Sequence, residues 1–239
     1  MEGLFAHMGA EVVTLDDLRA VPMPEATETY TPLSHYDMAI NIQKLAGDFV
    51  KKPLKELAFA LGRKGNQLFG CLKYGDGDGD SGMAIGFRNS YDHSMAAGLV
   101  IGAHVFVCDN MALVGDICIF HKHTKNIMDA FQKDIINALY GANHKFEQIQ
   151  NWFGQLKAAP VALNDGYRLI GEALGKELVP VGMATRTLDE WQHPTHKEFE
   201  PRTAWSLYNA FTDGAKVLPP AKVIDTHHKL ATFFKEQFN

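Results

Sequence analysis

The sequence is poor in cysteine and has no long hydrophobic run. Cys71, Cys108 and Cys118 make an odd count without CxxC spacing, so we expect reduced thiols in a cytosolic compartment rather than a disulfide framework. No apolar stretch approaches the roughly 18 residues that a membrane-spanning helix needs. The acidic opening MEGLFAHMGAEVV lacks a signal-peptide pattern. These absences predict a cytoplasmic protein without a membrane partner.

A general excess of positive charge is also missing. The formal net charge of the 239 residues is -5, from 23 basic and 28 acidic side chains. Residues 1–50 hold 2 basic and 8 acidic side chains, residues 51–125 hold 9 and 7, and residues 126–239 hold 12 and 13. The middle part alone is net positive. This distribution permits a local polyanion site but does not match the basic signature of a dedicated DNA-binding protein.

The first half of the chain predicts an arm, a helix and then strands. Residues 1–33 contain three spaced prolines, which suit an extended lead-in. Ser34 can cap a helix that continues to about Val50, where apolar residues recur at helical spacing. Five strand-like runs follow, with links too short for helical crossovers: ELAFALGR, NQLFGCLKYG, GMAIGFRNSY, GLVIGAHVFVC and ALVGDICIFH. The RKGN tetrapeptide predicts a hairpin turn in which Gly65 and Asn66 supply positive φ.

After Thr124 the apolar period becomes helical. Gly141 is a possible break in the first of these helices, and Pro160 is its expected end. Strands grouped before helices favour an α+β fold. We therefore predict an N-terminal arm and helix, a five-stranded, mostly antiparallel sheet and C-terminal helices packed on it. The predicted regions are an arm at 1–33, an α+β core domain at 34–160 and a helical region at 161–239.

Residues 86–124 concentrate the polar chemistry of the chain. The segments RNSYDHS, CDN and HKHT are set into apolar runs, and charged or amide groups are costly to bury unless they are paired or used. One interpretation is an internal network in which Arg88 pairs with Asp92 or Asp109. The other is a surface that follows phosphates, with Tyr74, Phe87 or Tyr91 stacking on bases. The candidate nucleic-acid-binding residues are Lys73, Arg88, Asn89, Tyr91, His121, Lys122, His123 and Lys125.

Two patterns resemble metal sites, but neither has a full set of ligands. His121 and His123 lie two apart at a strand end and would face the same side, so Asp92, His93 or Asp116 could complete a metal site. No HExxH or clustered Cys/His signature accompanies them. The GDGDGD run fails as a calcium loop because the positions that require Gly and Glu hold Ser81 and Phe87. We predict no metal and no cofactor.

The string GFRNSYDHSMAAGLVIGAHVFVCDNMALVGD, followed by HKHT, resembles a family of phage- and plasmid-borne proteins of unknown function. The later TAWSLYNAFTDG segment is similar to the C-terminal part of that family, so the resemblance covers roughly residues 30–237. It implies a mobile-element origin, and with it the cytoplasm of a bacterial host. It supplies no catalytic residues. The order of helix, strands and helices is also loosely similar to that of ring-forming single-strand annealing proteins.

Three function classes follow. The first is a non-enzymatic protein that binds nucleic acid, with single-stranded DNA as the preferred ligand, in a recombination or annealing role and as a homo-oligomer. The second is a protein-interaction module, such as an inhibitor of a host defence enzyme, for which the acidic first 50 residues supply a docking arm. The third is a metal-dependent hydrolase centred on His121 and His123.

Overall fold

The computed structural model describes residues 10–75, 81–105 and 111–238. Its sheet has six antiparallel strands whose spatial order is their order in the chain. The strands are β1 Glu11–Val13, β2 Leu54–Gly62, β3 Gln67–Tyr74, β4 Ser81–Ser90, β5 Ala97–Val105 and β6 Met111–His121. Helices follow the sheet and pack on it, so the α+β prediction is confirmed. The five strands expected from the sequence correspond to β2 through β6.

The hairpin between β2 and β3 turns at residues 63–66, as the RKGN pattern predicts. The residues with positive φ are Arg63, Lys64 and Gly65, at 48°, 56° and 88°. Asn66 is not among them, so the prediction for that residue was wrong. Its side chain instead donates a 3.0 Å hydrogen bond to the Arg63 carbonyl oxygen. This bond stabilises a turn that places two cationic side chains in sequence at its tip.

The predicted N-terminal arm contains two short elements that the sequence analysis missed. β1 pairs with β2 through Val13 and Phe59, and helix α1 (Leu15–Ala20) begins with a reciprocal Thr14–Asp17 capping box. A three-residue strand is too short to show alternation. The expected helix after the arm is present as α2 (His35–Phe49), and the Ser34 hydroxyl accepts a hydrogen bond from the Asp37 N–H, which confirms the predicted cap.

The chain after the sheet is helical. The helices are α3 Ile127–Ala158, α4 Leu163–Gly175, α5 Val181–Gln192, α6 Ala204–Gly214 and α7 Pro220–Phe238. Gly141 does not interrupt α3, which ends just before Pro160 as expected. Side chains from α2 through α7 enter one hydrophobic cluster, so the predicted boundary at residue 160 crosses a continuous core. No helix in the described ranges is both long and apolar enough to cross a membrane.

The two faces of the sheet carry different side chains. The helix face presents large apolar residues such as Leu72, Ile85 and Leu99, which join the cluster formed with the helices. The opposite, small-residue face carries a separate, smaller cluster that includes Ala60, Cys71 and Ala84. Alternation along each strand sends neighbouring residues to opposite faces. The register therefore decides which polar residues of the central segment meet the helices.

Candidate functional site

Three polar segments meet at one end of the sheet. They are the turn 63–66, the connection 91–96 between β4 and β5, and the segment 122–126 after β6. Their proximity follows from the antiparallel register, which pairs Ala97 with His121. It is also held by a 2.8 Å hydrogen bond from the Tyr91 N–H to the Asn66 carbonyl oxygen. We call this region, together with the adjoining ends of β4 and β6 (residues 63–66, 88–96 and 120–126), the basic end of the sheet. It carries five cationic side chains: Arg63, Lys64, Arg88, Lys122 and Lys125.

A buried hydrogen-bond network lies beneath the basic end, on the helix face, with Asn89 at its centre. The Asn89 Nδ2 donates to the Leu33 carbonyl oxygen and to His35 Nδ1, 3.0 Å away. The Asn89 Oδ1 accepts from His123 Nε2 at 2.7 Å. Asn89, His35 and His123 are all buried. Both hydrogens of the amide and one lone pair of its oxygen are therefore used, as a buried polar group requires.

The network fixes the protonation of His35. Because His35 Nδ1 accepts from the Asn89 amide, its proton lies on Nε2, which donates to the Gly65 carbonyl oxygen at 3.2 Å. Burial, the main cause, and the neighbouring His123 lower the pKa of His35 to about 4, although the hydrogen bond to the Gly65 carbonyl oxygen acts to raise it. Burial also lowers the pKa of His123, with His93 adding to the effect. The two histidines are therefore neutral hydrogen-bonding groups near pH 7.

The same network attaches the N-terminal segment to the sheet. The His35 N–H donates to the Tyr91 hydroxyl at 2.8 Å, and the two rings stack with centroids 3.7 Å apart and planes 3° from parallel. The Thr31 N–H donates to the His123 carbonyl oxygen at 3.0 Å. The Tyr30 ring lies 4.0 Å from that of His93. Asn89, Tyr91 and His123 thus attach the N-terminal segment to the sheet, and all three side chains are buried.

The cations above this network are more accessible. Arg63, Lys64, Lys122 and Lys125 are exposed. The Arg63 guanidinium pairs with Asp92 at 3.2 Å. Although partial burial acts to raise it, hydrogen bonds from Ser94 and the Arg63 guanidinium hold the pKa of Asp92 below its usual range. The predicted pairing of Arg88 with Asp92 is therefore replaced by an Arg63–Asp92 pair, and the alternative partner Asp109 lies outside the described residues.

Lys73 is separated from this group of cations. Its side chain is buried on the small-residue face, and its Nζ lies 3.1 Å from Glu56 Oε2 on the paired strand. It cannot contact a nucleic acid from that position. Tyr74 and Phe87, expected as stacking residues together with Tyr91, are likewise buried. The aromatic side chains predicted to stack on bases thus belong to the core.

The residue beside Arg88 is an aromatic that the sequence analysis did not select. Phe120 on β6 is 44% exposed, and the carbon of the Arg88 guanidinium lies 4.9 Å from the centre of its ring. Gly98 lies between them, paired with Arg88 on one side and with Phe120 on the other. A Cβ on Gly98 would lie 2.7 Å from the Phe120 ring. The ring therefore lies directly on the backbone at Gly98. This contact becomes visible only when the pairing of β4, β5 and β6 is known.

The candidate metal ligands whose side chains the structure describes do not come together; the side chain of Asp116 is not among them. His121 Nε2 lies 2.8 Å from Asp134 Oδ2 on α3, whereas His123 binds Asn89. Asp92 is held by Arg63 and Ser94. Across residues 10–75, 81–105 and 111–238, no three His, Cys, Asp or Glu side chains form a group that could hold a metal ion. Residues 76–80 of the GDGDGD run and residues 108–110 of the CDN segment lie outside those ranges.

Comparisons with known proteins do not identify the chain. No family model, curated protein sequence or solved structure matches it. The resemblance to phage- and plasmid-borne proteins therefore stays a prediction, and function has to be argued from the site itself.

Proposed function

We propose that the protein binds nucleic acid, with single-stranded DNA as its preferred ligand, at the basic end of the sheet. The observation that carries this proposal is the collection of cations from three separate segments onto one end of one sheet. Within 63–66, 88–96 and 120–126 there are five Lys and Arg side chains and one carboxylate, Asp92. The chain as a whole is acidic. The charge is therefore concentrated locally, as binding to a phosphate backbone requires.

The arrangement of these cations supports a strand-like ligand. Strands β2 to β6 span four intervals of about 4.8 Å, so the turn after β2 and the segment after β6 lie roughly 20 Å apart. The buried network holds the intervening backbone in place, since Asn89 and His123 bridge β4 to the segment after β6. A rigid row of cations of this length can follow several phosphates of one strand. Self-association of the chain would join such rows into a longer groove, and we include a homo-oligomer in the proposal.

The main test reverses charge at the basic end and at a matched position. Lys122→Glu with Lys125→Glu changes two exposed lysines at the basic end. Lys51→Glu with Lys55→Glu changes two exposed lysines near the opposite end, where Leu54 pairs with Tyr74. Both double variants have the same net charge. Fluorescence anisotropy with a labelled 20-nucleotide thymidine oligomer, measured from 50 to 200 mM salt, compares their affinities.

We expect the Lys122/Lys125 variant to bind more weakly and with a shallower salt dependence. Each phosphate contact of a single strand contributes about 0.7 to the slope of log affinity against log salt, so losing two contacts lowers the slope by about 1.4. The Lys51/Lys55 variant should keep the slope of the parent protein. An equal loss of affinity in both variants would show that overall charge, not the basic end, determines binding. Absence of salt-dependent binding by the parent protein would reject the proposal.

A further inference from the structure

We infer that Arg88 and Phe120 form a stacking subsite for one nucleobase beside the phosphate-binding cations. The inference rests on the proposed function and specifies which part of the ligand the basic end contacts besides phosphate. It starts from an exposed aromatic ring. Among the described side chains, the exposed aromatics are Phe120, at 44%, and Tyr140, at 82%. Tyr140 lies on the outer side of α3, whereas Phe120 lies on the sheet next to the basic end.

The Phe120 ring is held in a fixed place. It lies across Gly98, where the absence of a side chain allows the ring to approach the backbone, and a Cβ there would lie within 2.7 Å of the ring. The Arg88 guanidinium, one strand further, stands 4.9 Å from the ring centre. Cation–π contact of this kind orients both planar groups. The pair therefore presents a preorganised planar surface instead of a mobile side chain.

Packing does not account for this arrangement. Burial of a phenylalanine stabilises a fold in proportion to the area removed from water, and Phe120 leaves much of its area exposed. A protein partner would need an apolar patch of several hundred square ångströms, but among the side chains that the structure describes the other exposed large hydrophobics lie on separate elements. They are Val12, Met23, Leu54, Leu163, Val181 and Val217. A single exposed ring beside a guanidinium fits a small planar ligand better.

The surrounding charges indicate that this planar ligand carries phosphate. Lys122 follows Phe120 by two residues and is exposed, and Lys125 is exposed three residues further on. Every nucleobase has a π-face, so stacking on an aromatic or guanidinium plane adds affinity without sequence preference. A base stacked on the Phe120–Arg88 pair would place its backbone beside these lysines. Accessible bases of this kind are available in single strands and are hidden in a duplex.

The test separates stacking from charge by using an oligomer without bases. Affinities are measured by anisotropy for a 20-nucleotide thymidine oligomer and for an abasic oligomer of the same length. Phe120→Leu should weaken binding of the thymidine oligomer by roughly 5- to 150-fold, the range that corresponds to loss of one stacked base. It should leave binding of the abasic oligomer unchanged. Tyr140→Leu is the matched control and should change neither affinity.

A second variant tests whether a weaker affinity of Phe120→Leu is caused by a folding defect. Phe120→Trp should retain the affinity for thymidine, and its added fluorescence, after subtraction of the parent signal, should be quenched by the thymidine oligomer but not by the abasic one. The stacking inference alone would be overturned by the following result. The parent protein binds both oligomers with salt dependence, Phe120→Leu has no selective effect, and Phe120→Trp shows no quenching. Absence of salt-dependent binding to either oligomer would overturn the proposed function and the subsite with it.

Discussion

Two glycine–phenylalanine pairs occupy opposite faces of the same sheet. Gly70 pairs with Phe87 on the helix face, and Gly98 pairs across the strand with Phe120 on the small-residue face. In both, a Cβ on the glycine would collide with the aromatic ring. The surroundings of the two rings differ: Phe87 lies within the core and is 4% exposed, whereas Phe120 is 44% exposed.

The comparison shows that one backbone arrangement can serve two purposes. At Gly70 the missing side chain lets a ring lie flat on the sheet beneath the helices, which increases the buried area and stabilises the fold. At Gly98 the same close approach holds a ring that leaves 44% of its surface exposed and so buries less area than Phe87 does. The first pair is explained by packing. The second is explained by what the ring can contact outside the protein.

The largest expected difference in lost stability is between alanine substitutions of the two phenylalanines. Phe87→Ala removes a fully packed ring and should lower the free energy of unfolding by about 3–5 kcal/mol. Phe120→Ala removes a half-exposed ring and should lower it by less than about 1 kcal/mol, as surface substitutions do. Urea unfolding followed by circular dichroism measures both. Similar losses would mean that the two rings do not differ in structural role.

Alanine substitutions of the two glycines should show the same contrast in lost stability, but a smaller one. Gly70→Ala forces a methyl group against Phe87, which is enclosed by the core, and overpacking of this kind costs about 1–3 kcal/mol. Gly98→Ala displaces Phe120, whose outer side faces solvent instead of the core, so we expect a loss below about 1 kcal/mol. Thermal unfolding of the two variants compares them. A larger loss at Gly98 than at Gly70 would contradict the contrast drawn between the faces.

The last expected effect is a pH dependence of stability confined to the helix face. His35 has a folded-state pKa of about 4, below its ordinary value of 6.5. Between these values the unfolded chain binds a proton that the folded protein excludes, so this contribution to stability is complete above pH 6.5 and is lost as the pH falls to 4. The slope attributable to His35 is about 1.4 kcal/mol per pH unit. Urea unfolding of His35→Asn should show a slope shallower by that amount, and an unchanged slope would exclude neutral His35 as its source.

Local sequence patterns were sufficient to predict most of the fold. Alternation and turn residues identified β2 to β6, and Ser34 and Pro160 marked helix ends, because each signal depends on a few neighbouring residues. β1 and α1 were missed because they are short and because β1 is recognisable only through its pairing with β2. The positive φ of Arg63 and Lys64 was missed because these residues tolerate it only within the closed hairpin.

The candidate site was less predictable, since burial depends on contacts between distant segments. Nothing near Asn89 in sequence indicates that Leu33, His35 and His123 will surround it. Lys122 and Lys125 were selected from sequence and are exposed, whereas Tyr91 and His123 were selected by the same reasoning and are buried. Phe120 could be recognised only once the register placed it over Gly98.

The uninterrupted order of the strands has a consequence for how the chain folds. β2 through β6 each pair with their neighbour in sequence, so these pairs can form as successive hairpins, and contacts between residues close in sequence favour rapid folding. β1 is the exception, because Val13 pairs with Phe59 and closing that long loop carries a larger entropic cost. We therefore expect the five-stranded meander to form early. The N-terminal segment, held by Asn89 and His123, would dock afterwards and be the first part to detach on unfolding.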